Sequence, residues 1–181
     1  MELCQLIEEF HFVDLLAVSY YREKVVRTLV ENGVKVTLFG TGWECCDWLD
    51  NPNLDFRGRV SADEIVEIMH DSKIVLSTMT WFKDGAHDRV FNGMLSGALA
   101  VTDSSKYMRE EFVSSDDIDE TKDDLVMFEL EQMETLPKKV QSLLNNLDQA
   151  QLIADRGYKK AFSHTWAARA EELDRDLLSQ I

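Results

Sequence analysis

Val34-Lys35-Val36-Thr37-Leu38-Phe39-Gly40-Thr41-Gly42-Trp43 decides the fold. Its first six residues alternate and are rich in β-branched side chains, the pattern of a strand. Two glycines around Thr41 then end the strand in a tight turn. Upstream, Val13 to Asn32 carries Leu15, Leu16, Tyr20, Val25, Val26, Leu29 and Val30 at helical spacing, and Asn32-Gly33 is a helix stop. Helix, stop, strand, glycine turn is one unit of an alternating α/β chain.

The alternation continues downstream. Leu54 to Arg57 fits a second strand, followed by Gly58. Ser61-Ala62-Asp63-Glu64 is a capping box opening a helix to His70. Lys73 to Ser77 reads as a strand buried on both faces. Asp88 to Ser96 reads as a helix ended by Gly97. Ala98 to Thr102 is the next strand, Tyr107 to Phe112 a short helix, and Leu125 to Phe128 the last strand. Helices over Glu131 to Asn146, Asp148 to Tyr158 and Thr165 to Gln180 close the chain. This order predicts a Rossmann-like three-layer sandwich around a parallel sheet, as a single domain over residues 1–181. Residues 1–12 read as an interdomain helix.

Composition narrows the function. The 181 residues suffice for one domain with a real core. A net charge of −15, from 34 acids against 19 bases, argues against general nucleic-acid binding. The acids cluster at Asp116 to Asp124 and at Glu129 to Glu134, read as a solvated loop and a helix start. The first residues form no export signal, and no apolar run reaches membrane-spanning length. Cys4, Cys45 and Cys46 have no metal-ligand spacing and read as reduced thiols, so a cytoplasmic location is expected.

Ligands of open parallel sheets bind beyond the C-terminal ends of the strands. Three loops qualify: Gly40-Thr41-Gly42-Trp43, Thr78 to Asp88, and Thr102 to Lys106. The first allows close backbone approach, or is simply a tight turn. The second places Asp84-Gly85-Ala86-His87-Asp88-Arg89 at a helix start, where free N–H groups and the helix dipole suit a diphosphate. Arg89 would add a charge-assisted bond, or would pair with Asp84 or Asp88. His87 is either a polar ligand to sugar or phosphate or an exposed loop histidine. His11, His70 and His164 read as structural. Trp43 and Trp81 lie in the ligand loops and could stack on a ligand.

The ordered set of motifs resembles group 1 glycosyltransferases, most nearly the spore-maturation (CgeB-like) subgroup. The set runs from Val36 to Trp43, then Arg57-Gly58-Arg59-Val60, Gly85 to Met94, Ser96-Gly97-Ala98 and Val101-Thr102-Asp103. It ends with Ile153 to Tyr158 and His164 to Ala170. The resemblance implies the C-terminal half of a GT-B fold, which holds a nucleotide-diphosphate sugar as donor substrate and needs no metal or other cofactor. It places Asp84 and Asn92 where many relatives carry two glutamates, toward the donor sugar and the ribose. It places Gly58, Arg59 and Val60 along the base, Gly40 to Gly42 at the diphosphate, and Thr102, Asp103 and Ser104 near the donor. Asp84, His87 and Arg89 would be catalytic, with Arg89 assisting the departing diphosphate and the anomeric configuration retained.

A full enzyme of this kind needs an N-terminal acceptor domain, in cis or in trans. Alone, this chain is expected to bind donor weakly and to transfer nothing. Apolar surface on the last helix would pack against that domain or drive homodimerisation. Two rivals stand beside this reading. One is a degenerate interaction domain, favoured by Asp84 and Asn92 in place of glutamates. The other is an S-adenosylmethionine-dependent methyltransferase, whose usual third glycine and acidic strand end are missing.

Overall fold

The computed structural model of the chain describes residues 3–81 and 84–178. The element order is α1 (Leu3–Glu31), β1 (Val36–Phe39), β2 (Leu54–Gly58), α2 (Ala62–His70), β3 (Ile74–Ser77), α3 (Asp88–Leu95), β4 (Leu99–Asp103), α4 (Lys106–Glu111), β5 (Val126–Phe128), α5 (Leu136–Asn145), α6 (Leu147–Ala161) and α7 (Trp166–Leu178). Each predicted strand forms, and so does each predicted helix except the one over Glu131 to Asn146, which is divided. Phe82 and Lys83 of the predicted ligand loop lie outside the described residues, as do Met1, Glu2 and the predicted end of the last helix at Ser179–Gln180.

Every strand pairing is parallel. Val36 faces Leu54 in one ladder; Ile74 faces Leu99 and Val101 faces Val126 in the other. The expected single sheet is therefore divided into a two-stranded ladder, β1-β2, and a three-stranded one, β3-β4-β5. The ladders abut through side chains. Val36 of β1 and Leu76 of β3 both pack against the same two apolar clusters.

The strand alternation builds the layers. On β4, Leu99 and Val101 point to one face and Ala100 to the other; on β5, Val126 and Phe128 oppose Met127. The first face meets Val25 and Leu29 of α1, Val140 and Leu143 of α5, and Ile153 of α6. The second meets Val90 and Met94 of α3 and Met108 of α4. This is the predicted three-layer sandwich.

Several local features differ from the sequence reading. The N-terminal segment is not a separate helix; it continues into α1, which runs for 29 residues. The predicted helix over Glu131 to Asn146 divides into a 3-10 turn, Leu130–Thr135, and α5, with Gln132 off helical geometry and Pro137 in the first turn of α5. The acidic loop is not merely solvated. Asp123 is fully buried and accepts hydrogen bonds from Ser115 N–H, the Ser115 hydroxyl and Asp119 N–H. The Ser61–Glu64 capping box forms in both directions, and those bonds hold the Glu64 carboxyl below its usual range.

His164 is structural, as expected. Its ring is stacked on Phe91 and lies against Phe112. Its Nδ1 lies 2.9 Å from the Tyr107 hydroxyl and 2.8 Å from Nη2 of Arg169, joining α4 to α7. Arginine can only donate, so Nδ1 accepts and the ring is neutral. Burial first, then the Arg169 charge, depresses its pKa, against a smaller opposing effect of Glu111. A depressed histidine contributes stability above its unfolded pKa of about 6.5 and loses it as the pH falls through the folded value. The chain is therefore expected to melt at lower temperature at pH 5 than at pH 7.5. His164→Gln should melt lower at neutral pH and show a flatter acid limb. An unchanged acid limb in that variant would remove His164 as its cause.

Candidate functional site

The C-terminal ends of β1 and β2 meet through one bond, Gly40 N–H donating to Gly58 O at 2.7 Å. This brings the Gly40–Gly42 turn beside Gly58. The glycine amides of the turn are already taken. Gly40 N–H is taken by Gly58, and Gly42 N–H donates to the Glu44 carboxylate at 2.7 Å. What this turn contributes is space. Gly40 has φ +119°, where a side chain is strained, and an added Cβ would lie 3.6 Å from Arg22 Nη2 and 3.7 Å from Trp43 Nε1.

Trp43 does not offer a stacking face. It is 5% exposed and packs edge-on against Trp48. The Arg22 guanidinium lies 4.8 Å from its ring centroid. The indole N–H is buried and has no hydrogen-bond partner among the described residues. Trp81, by contrast, is exposed.

The loop after β3 is tied down from the end of β4 and the N-cap of α4. Met79 N–H donates to Asp103 Oδ1 at 2.5 Å, and the Ser105 hydroxyl to Gly85 O at 2.5 Å. Asp103 and Thr102 are fully buried and Ser104 nearly so. The Thr102 hydroxyl bonds Asp103 O, and Ser104 bonds Glu129 and Arg109. These three side chains are turned into the protein, and those of Asp103 and Ser104 tie neighbouring segments together.

At the start of α3, His87 is the N-cap. Its Nδ1 accepts from Arg89 N–H at 3.1 Å, and Val90 N–H bonds His87 O. The helix start predicted to offer free N–H groups is therefore largely satisfied by its own chain. The same Nδ1 lies 2.5 Å from Asp88 Oδ1. That contact needs a proton on Nδ1, whereas the cap needs a lone pair. Burial and then the Arg89 charge push the His87 pKa down, against the opposing pull of Asp88, which favours the neutral cap.

The Arg89 guanidinium reaches back over the strand ends, with Nη1 3.5 Å from the Ser77 hydroxyl. It makes no salt bridge with Asp84 or Asp88 among the described residues. Desolvation lowers its pKa, against the smaller opposing charge of Asp88. Arg22 is lowered too, by desolvation and then by the charge of Arg89. The charge of one guanidinium is thus felt at the other, an arrangement that an anion would relieve. Asp84 and Asn92 are exposed, and Gly85 and Ala86 half-buried.

The sequence reading missed Arg22, Ser77 and Glu44. Arg22 had a signal: it precedes Val25 by three residues and Val26 by four, so it borders the buried stripe of α1, although it is itself exposed. Ser77 and Glu44 had none, because their roles depend on what the fold brings beside them. Among the described residues no group of three or more His, Cys, Asp and Glu could hold a metal ion. No described helix is long and apolar enough to cross a membrane.

The chain is a parallel α/β sandwich, the class of fold whose ligands lie beyond the C-terminal ends of the strands. The family model described as "Glycosyl transferase-like" matches residues 22–175, and the chain belongs to this group 1-like glycosyltransferase family. The Anabaena protein HepE, solved with UDP and glucose, superposes with a TM-score of 0.63 at 14% identity, over 86% of this chain and 44% of HepE. Sucrose-phosphate synthase from Thermosynechococcus elongatus gives 0.64 at 14% identity, over 88% of this chain and 44% of its own. TarM gives 0.60 at 19% identity, over 90% and 32%. The fold is thus the Rossmann-like half of a GT-B glycosyltransferase. The chain spans less than half the length of each of these structures. No curated protein matches it in sequence. The methyltransferase reading is left without support.

Proposed function

We propose that the chain is the donor-binding domain of a glycosyltransferase, holding a nucleotide-diphosphate sugar at the ends of β1, β3 and β4. The observation that carries this is Arg89. Its guanidinium sits at the strand ends, partly desolvated, beside Ser77, and makes no salt bridge among the described residues, although the charge of Asp88 reaches it. HepE has been solved with UDP-glucose, and that supports the same ligand class here. The ordered motifs of the sequence favour the spore-maturation branch of the family.

In this reading the leaving diphosphate gains negative charge as the sugar departs, and Arg89 stabilises it. Ser77 orients the guanidinium. The Gly40 to Gly42 turn leaves room for the phosphates, and Gly58 to Val60 line the base. His87 acts by fixing the start of α3, and Asp84 and Asn92 face sugar and ribose from the rim. Transfer needs an acceptor domain, in cis or in trans, to hold both reactants in attack geometry. The exposed Trp166, Leu173 and Leu177 of α7 offer a surface for that domain or for a second copy.

Calorimetric titration with UDP, GDP, UDP-glucose and S-adenosylmethionine tests the proposal. One nucleoside diphosphate should bind. Arg89→Ala should weaken it about 10- to 100-fold, the worth of one hydrogen bond to a charged group. Binding of that nucleotide unchanged in Arg89→Ala would sink the Arg89 role. No response to any nucleotide would favour the degenerate-domain reading.

A further inference from the structure

We infer that Arg22 and the indole N–H of Trp43, facing each other beside Gly40, form a second anion-contact point, distinct from Arg89, that makes the site select a diphosphate over a monophosphate. The inference rests on the donor-domain reading above and adds residues from α1 and the β1 turn.

The geometry is that of two donors without an acceptor. Arg22 Nη2 and Trp43 Nε1 both lie within 4 Å of one point, the position a Cβ on Gly40 would occupy. Neither can accept a hydrogen bond from the other, since guanidinium and indole nitrogens only donate. Trp43 is nine-tenths buried, and its N–H has no partner among the described residues. A buried, unmatched donor is costly unless something completes it. Arg22 packs over the indole face by its cation–π contact but makes no ion pair among the described residues. The side chain as a whole remains open to solvent, so its guanidinium can swing off the indole. An oxyanion entering between them would accept from both. Gly40 keeps that space clear, and its amide, already bonded to Gly58, does not compete for the ligand.

Arg89 supplies the other cation. Arg22 stands beside Gly40 at the C-terminal end of β1, and Arg89 reaches Ser77 at the C-terminal end of β3, a strand that packs with β1 through Val36 and Leu76. The charge of Arg89 is felt at Arg22. Two separated cations match two linked phosphoryl groups. A single phosphoryl group can satisfy one of them and leaves the other unrelieved.

The test is isothermal titration of UDP, UMP and inorganic pyrophosphate into the wild-type chain, Arg22→Met and Trp43→Phe. Arg22→Met keeps an apolar stem over the indole, and Trp43→Phe keeps a ring while removing the N–H. Melting temperature is recorded for each, and Arg22→Met should match wild type. The expected result is a loss of at least tenfold in UDP and pyrophosphate affinity for Arg22→Met, a smaller loss for Trp43→Phe, and UMP affinity changed by less than about threefold. Equal losses for UDP and UMP would overturn the selectivity, as would UDP binding that ignores Arg22; the donor-domain reading would then stand. Pyrophosphate binding that depends on Arg22, with no nucleotide bound by wild type, would keep the anion point and remove the donor-domain reading. No binding of any of the three to wild type would overturn both.

Discussion

Replacing Asp103 by alanine is expected to lower stability by about 3 kcal/mol, from the loss of a buried acceptor and the exposure of an unmatched donor. In a chain of this size that is a fall in Tm of about 6–12 °C. The carboxylate has no exposed surface and accepts from Met79 N–H, in a loop whose own side chain, Met79, is packed in the core. Removing the carboxylate leaves that N–H buried. It also releases the segment leading to α3, and so displaces Arg89. Nucleotide binding should therefore fall together with stability. Asp103→Asn keeps an oxygen at the acceptor position and should recover most of both. Thermal melts of the two variants decide the matter: if Asp103→Ala melts within about 2 °C of wild type, the loop is not held from β4.

Gly157→Ala should also destabilise, against the usual sign of such a change. Alanine in a helix interior gains about 1 kcal/mol over glycine. At Gly157 of α6, however, a Cβ would meet the backbone carbonyl of Asp124 well inside van der Waals contact, and Met94 Cε at 3.0 Å. A backbone oxygen cannot rotate away as a side chain can. The cost of forcing α6 off the body exceeds the helical gain, for a net loss of about 2 kcal/mol. The expected fall in Tm is about 4–8 °C by the same size scaling. A rise in Tm would show that α6 has room to move outward.

The sequence carried the fold because alternation and stops are local. The β-branched runs, the Ser61–Glu64 box and the glycines after α1 and α3 each report on their own neighbourhood, and the structure uses them so. The 3-10 turn before α5 was not legible, because its apolar spacing is nearly helical and only packing bends it at Gln132. The division of the sheet between β1 and β3 was hidden for a similar reason. Strand propensity does not say which neighbour completes a ladder.

The site was half legible. Arg89 and the glycine turns stood out by residue type and position. Thr102, Asp103 and Ser104 stood in the right place but point into the protein, and a strand end does not reveal which way its polar groups turn. Asp123 illustrates the same limit. An acid in a run of acids reads as solvated until three donors are found around it.

The length of α1 has a consequence for how that helix comes undone. Its second half is locked into the body by Val25, Val26, Leu29 and Val30, while Phe10, Phe12, Val13 and Leu16 of its first half are exposed. A free helix must first close an unfavourable turn, at a statistical weight of about 10⁻³. Here the packed half is that seed, and the exposed half is pure propagation from it. Its unwinding is accordingly a fraying front that starts near Leu3 and retreats residue by residue toward Arg22, rather than one concerted opening. Anything that settles on those apolar turns meets a rod already wound, and shifts the front outward instead of having to start a helix of its own.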